Sequence, residues 1–299
     1  MPAARGLLSR ATRETLANYA YLLPAAICLG GTVLFPILKA IHMSLYQNVL
    51  SRPQDYHFIG LGNYVRMLHD PTFWLTLKNS VVWVFFSVSI QFVLGFLGAL
   101  LLNASFKGRA FVRTLNLLPW IIPGVVVGLV WEYLYQPNYG PINDMLKRVG
   151  ALTVPVAWLS EPAFAMASVI FANIWRGIPF FGIIILAGLQ AVPQELHEAA
   201  AIDGANVWHR FRHVTIPAIK GVVLIASLLS IIWTFADFQL IYILTKGGPA
   251  NQTHIFGTYA YQIGLNATEI GMGAAIALYM FPILTFFAIL LLIYLRKEQ

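Results

Sequence analysis

The sequence is poor in charge and contains almost no cysteine. Only 10% of its 299 residues are Asp, Glu, Lys or Arg, whereas soluble domains carry about 25%. The single cysteine, Cys28, excludes a disulfide framework and a cysteine-based metal site. The seven histidines show no H-E-x-x-H or similar ligand spacing, and no G-x-x-x-x-G-K-[ST] motif is present. The sequence therefore predicts no metal site, no catalytic centre and no P-loop for ATP.

What the sequence has in excess is apolar residues. They make up 59% of the chain, and the mean hydropathy is +0.71. The net charge of +7 does not indicate nucleic acid, because the basic residues are spread among the connections and form no continuous basic face. Membrane lipid is the partner that this composition favours.

Six apolar runs are each long enough to cross roughly 30 Å of hydrocarbon as a helix. No alternation typical of a membrane strand is present, so helices are predicted. The first run, locally interrupted at Pro24 and Pro36, is too long for the apolar core of a signal peptide. The sequence predicts an all-α polytopic membrane protein, with an N-terminal segment 1–18 and a transmembrane domain 19–299. The six predicted helices are 19–38, 80–102, 115–135, 164–189, 218–244 and 273–295.

The distribution of lysine and arginine predicts the orientation. The connections on the side of the N-terminus carry eleven of these residues, and the longer connections on the other side carry seven. Because cytoplasmic loops carry the excess of basic residues, both termini are expected in the cytoplasm. The connection 193–217 is expected on the same side.

The connection 193–217 is the most hydrophilic stretch between two apolar runs. Pro193 suits the first turn of a helix, and apolar residues then recur at helical spacing. Gly204 permits a sharp turn, after which Val207, Phe211 and Val214 share a face. The stretch is predicted to form a helix, a turn and a second helix at the membrane surface.

The connection 193–217 contains Glu198-Ala199-Ala200, then Gly204, then Val214-Thr215-Ile216-Pro217. At this spacing it resembles the EAA loop of binding-protein-dependent ABC importer permeases, with Val214 for Ile and Ile216 for Leu. The resemblance implies the type I permease fold and a coupling helix that docks into a cytoplasmic ATPase. The implied coupling residues are Glu198, Ala199, Ala200, Asp203 and Gly204, with a charged contact from Glu198 and a turn at Gly204. A surface hairpin without a partner is the alternative.

Two further stretches resemble the carbohydrate branch of these permeases, of the maltose-importer type. One runs from Phe58-Ile59-Gly60-Leu61-Gly62-Asn63-Tyr64 to Asp70-Pro71-Thr72-Phe73-Trp74, and the other is Leu244-Thr245-Lys246-Gly247-Gly248-Pro249 followed by Thr253. The resemblance implies import of a di- or oligosaccharide such as trehalose or maltose. An aromatic belt at the outer interface would account for the aromatic residues alone.

Polar residues within two of the predicted helices form candidate binding faces. Asn173, Arg176 and Gly177 share one face of the fourth helix, and Ser230, Thr234 and Asp237 share one face of the fifth, beside Trp233. Intramembrane polar groups are costly unless they face a cavity or a partner. The family resemblance implies sugar contacts at Asn173, Gly177, Ser230 and Thr234, and an aromatic contact at Phe180.

Two other roles remain open for these polar residues. Asn, Ser and Thr often only connect one membrane helix to another, and Arg176 and Asp237 are positioned to form an ion pair between helices. Gln91 and Glu132 have weaker claims to a functional role.

The resemblance as a whole implies a transport subunit without enzymatic activity of its own. It implies a multi-pass protein of a prokaryotic cell membrane that works by alternating access. The implied partners are a second homologous permease, two ATPases that hold ATP and Mg²⁺, and an extracytoplasmic sugar-binding protein or lipoprotein. The rival interpretations are a secondary carrier driven by an ion gradient, expected to show an internal repeat, and a membrane hydrolase, which lacks a nucleophile with a base.

Overall fold

A computed structural model describes residues 10–297 of the chain, and it confirms the predicted all-α class. Residues 1–9 of the expected N-terminal segment lie outside the described residues, as do 298 and 299. One small hairpin departs from the helical pattern. Its strands are β1 (Tyr46–Gln47) and β2 (His57–Phe58), paired antiparallel.

The N-terminal span is one long helical rod. It consists of α1 (Arg10–Leu29), a π-helical turn (Gly30–Leu34) and α2 (Phe35–Ser44). The interruption expected at Pro24 is wrong, because α1 continues through this residue, as membrane helices often do through a proline. Its apolar side chains from Tyr21 to Leu34 are largely exposed, whereas the part from Phe35 to Ser44 packs against the C-terminal helix of the described chain.

The remaining helices follow in two groups. The first group is α3 (Gly62–Leu68), α4 (Pro71–Asn103), α5 (Arg109–Ile121), α6 (Gly124–Leu134), α7 (Pro141–Arg148) and α8 (Pro162–Gln190). The second group is α9 (Gln194–Ile202), α10 (Val207–Arg210), a π-helical turn (Phe211–Thr215), α11 (Ile216–Ala236), α12 (Gln239–Leu244), α13 (Phe256–Tyr261), a π-helical turn (Gln262–Asn266) and α14 (Ile270–Lys297).

Within residues 10–297, five helical stretches are long and apolar enough to cross a membrane, and a sixth is added if α5 and α6 together form one span. Between α5 and α6 the chain bends by 92°, where one continuous helix, 115–135, was expected. Ile122 is extended, with φ −64° and ψ 131°, because a residue before proline avoids the α conformation. Pro123 also lacks the N–H that would continue the helix.

A second break divides the stretch 218–244, which was also expected to be one helix. Asp237 is extended, with φ −73° and ψ 104°, between α11 and α12. One of its carboxylate oxygens lies 3.5 Å from the backbone nitrogen of Leu240 in the first turn of α12. The acidic side chain thus stands at the N-terminal end of a new helix, where negative charge is favoured.

Close packing of α4 against α8 forms the centre of the bundle. A Cβ added at Gly95 would lie 2.5 Å from Cβ of Phe181 and 2.9 Å from the carbonyl oxygen of Ile178. Trp83 is fully buried, and its indole N–H donates to the carbonyl of Thr234 at 2.8 Å. These contacts hold α4, α8 and α11 together around the polar residues described next.

Candidate functional site

A small cavity of about 70 Å³, lined by polar and aromatic side chains, lies where α4, α5, α8 and α11 meet. Seven of the eight predicted substrate-binding residues line it, and the eighth, Asp237, contacts the lining residue Arg176. Helical spacing explains the grouping, since positions i, i+3, i+4 and i+7 fall on one helix face. The lining residues are Gln91, Trp120, Asn173, Arg176, Gly177, Phe180, Ser230, Trp233 and Thr234.

Gln91 connects the helices that surround this cavity. Its side-chain amide nitrogen donates to the carbonyl of Asn173 at 2.9 Å, and its amide oxygen accepts from the hydroxyl of Ser230 at 3.3 Å. The side chain crosses the space above Gly177, where an added Cβ would lie 2.3 Å from Cδ of Gln91. Sequence reasoning gave Gln91 only a weak claim, although a glutamine in an apolar run already signals a partner in the membrane.

Asn173 is buried and has one hydrogen-bonding group without a protein partner. Its amide oxygen accepts from Arg176 at 3.3 Å, while its amide nitrogen has no partner within residues 10–297. An unsatisfied buried donor costs about 1–3 kcal/mol. Asn173 lines the cavity, and a hydroxyl of a bound molecule would satisfy its buried amide nitrogen once the cavity is wider.

Three aromatic side chains lie beside these polar groups. The ring of Phe180 has its centroid 5.1 Å from that of Trp233 and 6.2 Å from that of Trp120. Sequence reasoning missed Trp120, although its place just before the Ile122-Pro123 break was a usable signal. Trp120 and Trp233 are about half exposed in this chain. One side of the cavity is therefore left uncovered by the described residues.

Arg176 and Asp237 form an ion pair beside the cavity, as one of the open interpretations of the sequence held. The side chain of Asp237 is 9% exposed and that of Arg176 is 24% exposed. A single charge in this region would be costly, and pairing lowers that cost. Both side chains already have a partner, so they are less available to a ligand than Asn173 is.

The connection 193–217 has the helix, turn and helix that the sequence predicts. Gly204 has φ +81°, which is left-handed and favours glycine. Asn206 follows the turn, and its side-chain oxygen accepts from the backbone N–H of His209 at 2.9 Å, as an N-cap residue does. Of the predicted coupling residues, Glu198, Ala199, Asp203 and Gly204 are exposed and Ala200 is half-buried.

Large apolar side chains on this connection are also exposed. Ile202 is 87% exposed, Val207 73% and Trp208 62%. A cluster of exposed apolar residues in a polar connection marks a contact surface for another protein or for membrane. Sequence reasoning did not single out Ile202 or Trp208, because exposure is decided by the turn at Gly204.

The part of the chain that the structure describes holds no group of three or more His, Cys, Asp or Glu residues that could bind a metal ion. Glu132 lies on α6 outside the cavity, and it forms no ion pair or hydrogen bond within residues 10–297. The cavity itself offers hydrogen-bonding groups and aromatic rings to a ligand.

Comparison with known proteins gives a consistent result. Residues 73–298 match the profile of a family described as binding-protein-dependent transport system inner membrane component. The trehalose/maltose transport system permease protein of Thermococcus litoralis is 36% identical over 94% of this chain and 94% of its own length. The sulfoquinovosyl glycerol transport system permease protein of Agrobacterium fabrum is 33% identical over 88% of this chain and 84% of its own length.

Solved structures show the same fold. A chain from a bacterial alginate ABC transporter, in complex with an alginate pentasaccharide-bound periplasmic protein, superposes with a TM-score of 0.80. The superposition covers 96% of both chains, at 23% sequence identity. At this level of identity the likeness concerns the fold and extends across nearly the whole chain.

Proposed function

The chain belongs to the family of binding-protein-dependent transport system inner membrane components and is a permease subunit of an ABC importer, and on this premise we propose that its cargo is a sugar. The proposed class is a di- or oligosaccharide, with trehalose and maltose as the first candidates, because the relative from Thermococcus litoralis is named for them. The sugar would pass by alternating access, in which the central gap opens to one side of the membrane at a time.

The unpartnered amide nitrogen of Asn173, buried beside aromatic rings, is the observation that carries the sugar proposal. Sugars offer hydroxyls that accept from such a donor, and their C–H faces pack on rings such as those of Phe180 and Trp233. Ser230 and Thr234 add hydroxyls on the facing helix. Ligand pockets usually hold about 300–1,000 Å³, so the cavity of about 70 Å³ must widen before a sugar fits.

A second permease would complete the uncovered side of the site, where Trp120 and Trp233 are half exposed. Two ATPases that hold ATP and Mg²⁺ would supply the energy, because this chain carries no P-loop motif. They would contact the exposed connection at Glu198, Ala199, Ala200, Asp203 and Gly204. An extracytoplasmic binding protein would deliver the sugar.

We place the subunit in the cell membrane of a prokaryote with both termini and the connection 193–217 in the cytoplasm, in accord with the excess of basic residues on that side. A terminal tag should be protected in intact cells and exposed in inverted vesicles. The opposite pattern would reverse the proposed orientation.

The experiment that tests the function is reconstitution of the chain with its partner permease, ATPases and binding protein into vesicles. We expect uptake of trehalose or maltose that requires ATP and the binding protein and survives collapse of ion gradients. Uptake by the chain alone that is abolished by an ionophore would instead support the secondary carrier. An importer that carries a solute other than a sugar would overturn the sugar proposal alone.

A further inference from the structure

The two helix breaks meet at a single arginine. Asp237, in the break between α11 and α12, accepts from Nη2 of Arg176. Gly124, the first residue after the break between α5 and α6, lies on the other side, where an added Cβ would be 3.1 Å from Nη1 of Arg176. One guanidinium on α8 therefore binds Asp237 in one break and lies close to Gly124 at the other.

The helices beyond the two breaks pack against each other and form one unit. A Cβ added at Gly128 on α6 would lie 2.8 Å from Cγ2 of Ile243 on α12. Near the breaks, a Cβ added at Gly124 would lie 3.0 Å from the side-chain oxygen of Gln239. We refer to Gly124–Leu134 and Gln239–Leu244 together as the α6/α12 pair. It joins α5 and α11 through short breaks that contain the extended residues Ile122 and Asp237, and such breaks allow a hinge.

The ion pair is a polar connection between this unit and the wall of the cavity, and it stands beside an apolar cluster that Val127 and Ile241 of the pair share with Val169 on α8. Arg176 stands on α8, one turn from Asn173, and donates to it at 3.3 Å. Asp237 is 9% exposed, so its carboxylate has little water to replace the guanidinium. Charge interactions are strong in such a poorly solvated place, and removal of one partner leaves an uncompensated charge.

Resting on the proposed sugar import, we propose that the ion pair between Arg176 and Asp237 is a latch. It holds the α6/α12 pair against α8 in the sugar-free subunit and must separate before the cavity widens to admit a sugar. Arg176 and Asp237 act as positioning residues in this role. Without the ion pair, the widened state would be populated even without sugar. The populations of the closed and the widened state depend on the difference in free energy between them.

The test is ATP hydrolysis by the assembled complex in lipid nanodiscs without the binding protein. Asp237→Asn removes the charge and keeps the shape, and we expect it to raise this basal rate roughly tenfold, within the range typical of coupling between sites. Asp237→Glu keeps the carboxylate, and its basal rate should rise less than that of Asp237→Asn. The matched control is Asp144→Asn, which breaks the exposed ion pair of Asp144 with Arg148 on α7 and should change nothing.

A double variant, Arg176→Gln with Asp237→Asn, leaves no lone charge and serves if the single variant fails to assemble. It should also show a raised basal rate. Assembled variants with the wild-type basal rate, or an equal rise in Asp237→Glu, would overturn the latch while sugar import stands. A wild-type complex whose ATP hydrolysis does not respond to sugar-loaded binding protein would overturn the proposed function instead.

Discussion

The side chain of Gln91 fills the space that any side chain at position 177 would need. Its Cδ lies 2.3 Å from where a Cβ at Gly177 would stand, and its two ends are held by the Asn173 carbonyl and the Ser230 hydroxyl. Because position 177 on α8 is a glycine, Gln91 on α4 can hydrogen-bond to both α8 and α11.

Gly177→Ala should therefore expel Gln91 from its place and break both hydrogen bonds. Overpacking of this kind costs about 1–3 kcal/mol, so we expect a lower thermal unfolding midpoint and a loss of uptake. Gln91→Ala in the same chain should restore part of the lost stability, because it removes the colliding atoms. A double-mutant cycle on unfolding midpoints measures this coupling, and additive effects would contradict the proposed contact.

Gly95→Ala should destabilise the subunit through the contact between α4 and α8. Its Cβ would lie 2.9 Å from the Ile178 carbonyl oxygen and closer still to Phe181, for an expected loss of about 1–3 kcal/mol. Gly98→Ala on the same helix is the control, because a Cβ there meets nothing within 4 Å. It should be neutral or raise stability by up to about 1 kcal/mol. Equal unfolding midpoints for the two variants would refute the close approach.

Asn173→Ala and Thr234→Ala should weaken sugar uptake while the complex still assembles. Each removes a group that would hydrogen-bond the sugar, and such a bond contributes about 0.5–1.5 kcal/mol. The expected result is a KM roughly 3- to 10-fold higher, measured in vesicles. Asn266→Ala is the control, because Asn266 is exposed and its side-chain amide donates to Gln262. Wild-type uptake by both site variants would remove the proposed sugar site.

Gly204→Asp should leave the subunit in the membrane and uncouple ATP hydrolysis from uptake. Gly108→Asp is a matched control, since Gly108 and Gly204 have φ of +85° and +81° and both face open space. The backbone strain is therefore alike, about 1–2 kcal/mol, and only the location differs. We expect the ratio of sugar imported to ATP hydrolysed to fall in the Gly204 variant alone. An equal fall in both would assign the effect to strain.

The connection between α12 and α13 should lose stability in acid through His254. Burial lowers the pKa of His254 from 6.5 to about 4, so the folded chain keeps the neutral ring, which lies 3.1 Å from the Thr258 hydroxyl. The neutral ring of His254 contributes fully to the free energy of unfolding above pH 6.5. This contribution is lost as the pH falls toward 4, and the loss is about 2 kcal/mol at pH 5. Unfolding midpoints at pH 7.5 and 5 should differ less in His254→Gln than in the wild type. His69→Gln, at an exposed site, should behave as the wild type does.

The sequence by itself determined the class of the protein and the grouping of most site residues. Runs of about 20 apolar residues can satisfy their backbone in lipid only as helices, so the all-α fold followed from composition. Helical periodicity placed Asn173, Arg176 and Gly177 on one face, and the family resemblance added Phe180. Local spacing also predicted the turn at Gly204, because left-handed backbone favours glycine.

Only the tertiary structure decided which faces meet and where the spans break. Gln91 and Trp120 belong to the cavity because α4 and α5 happen to lie beside α8, a relation between distant parts of the chain that periodicity does not contain. The sharp bend at Ile122-Pro123 depends on what the neighbouring helices allow, since many membrane helices continue through proline, as α1 does at Pro24. The ion pair of Arg176 with Asp237 likewise required two helices to approach within bonding distance, which packing decides and local sequence does not.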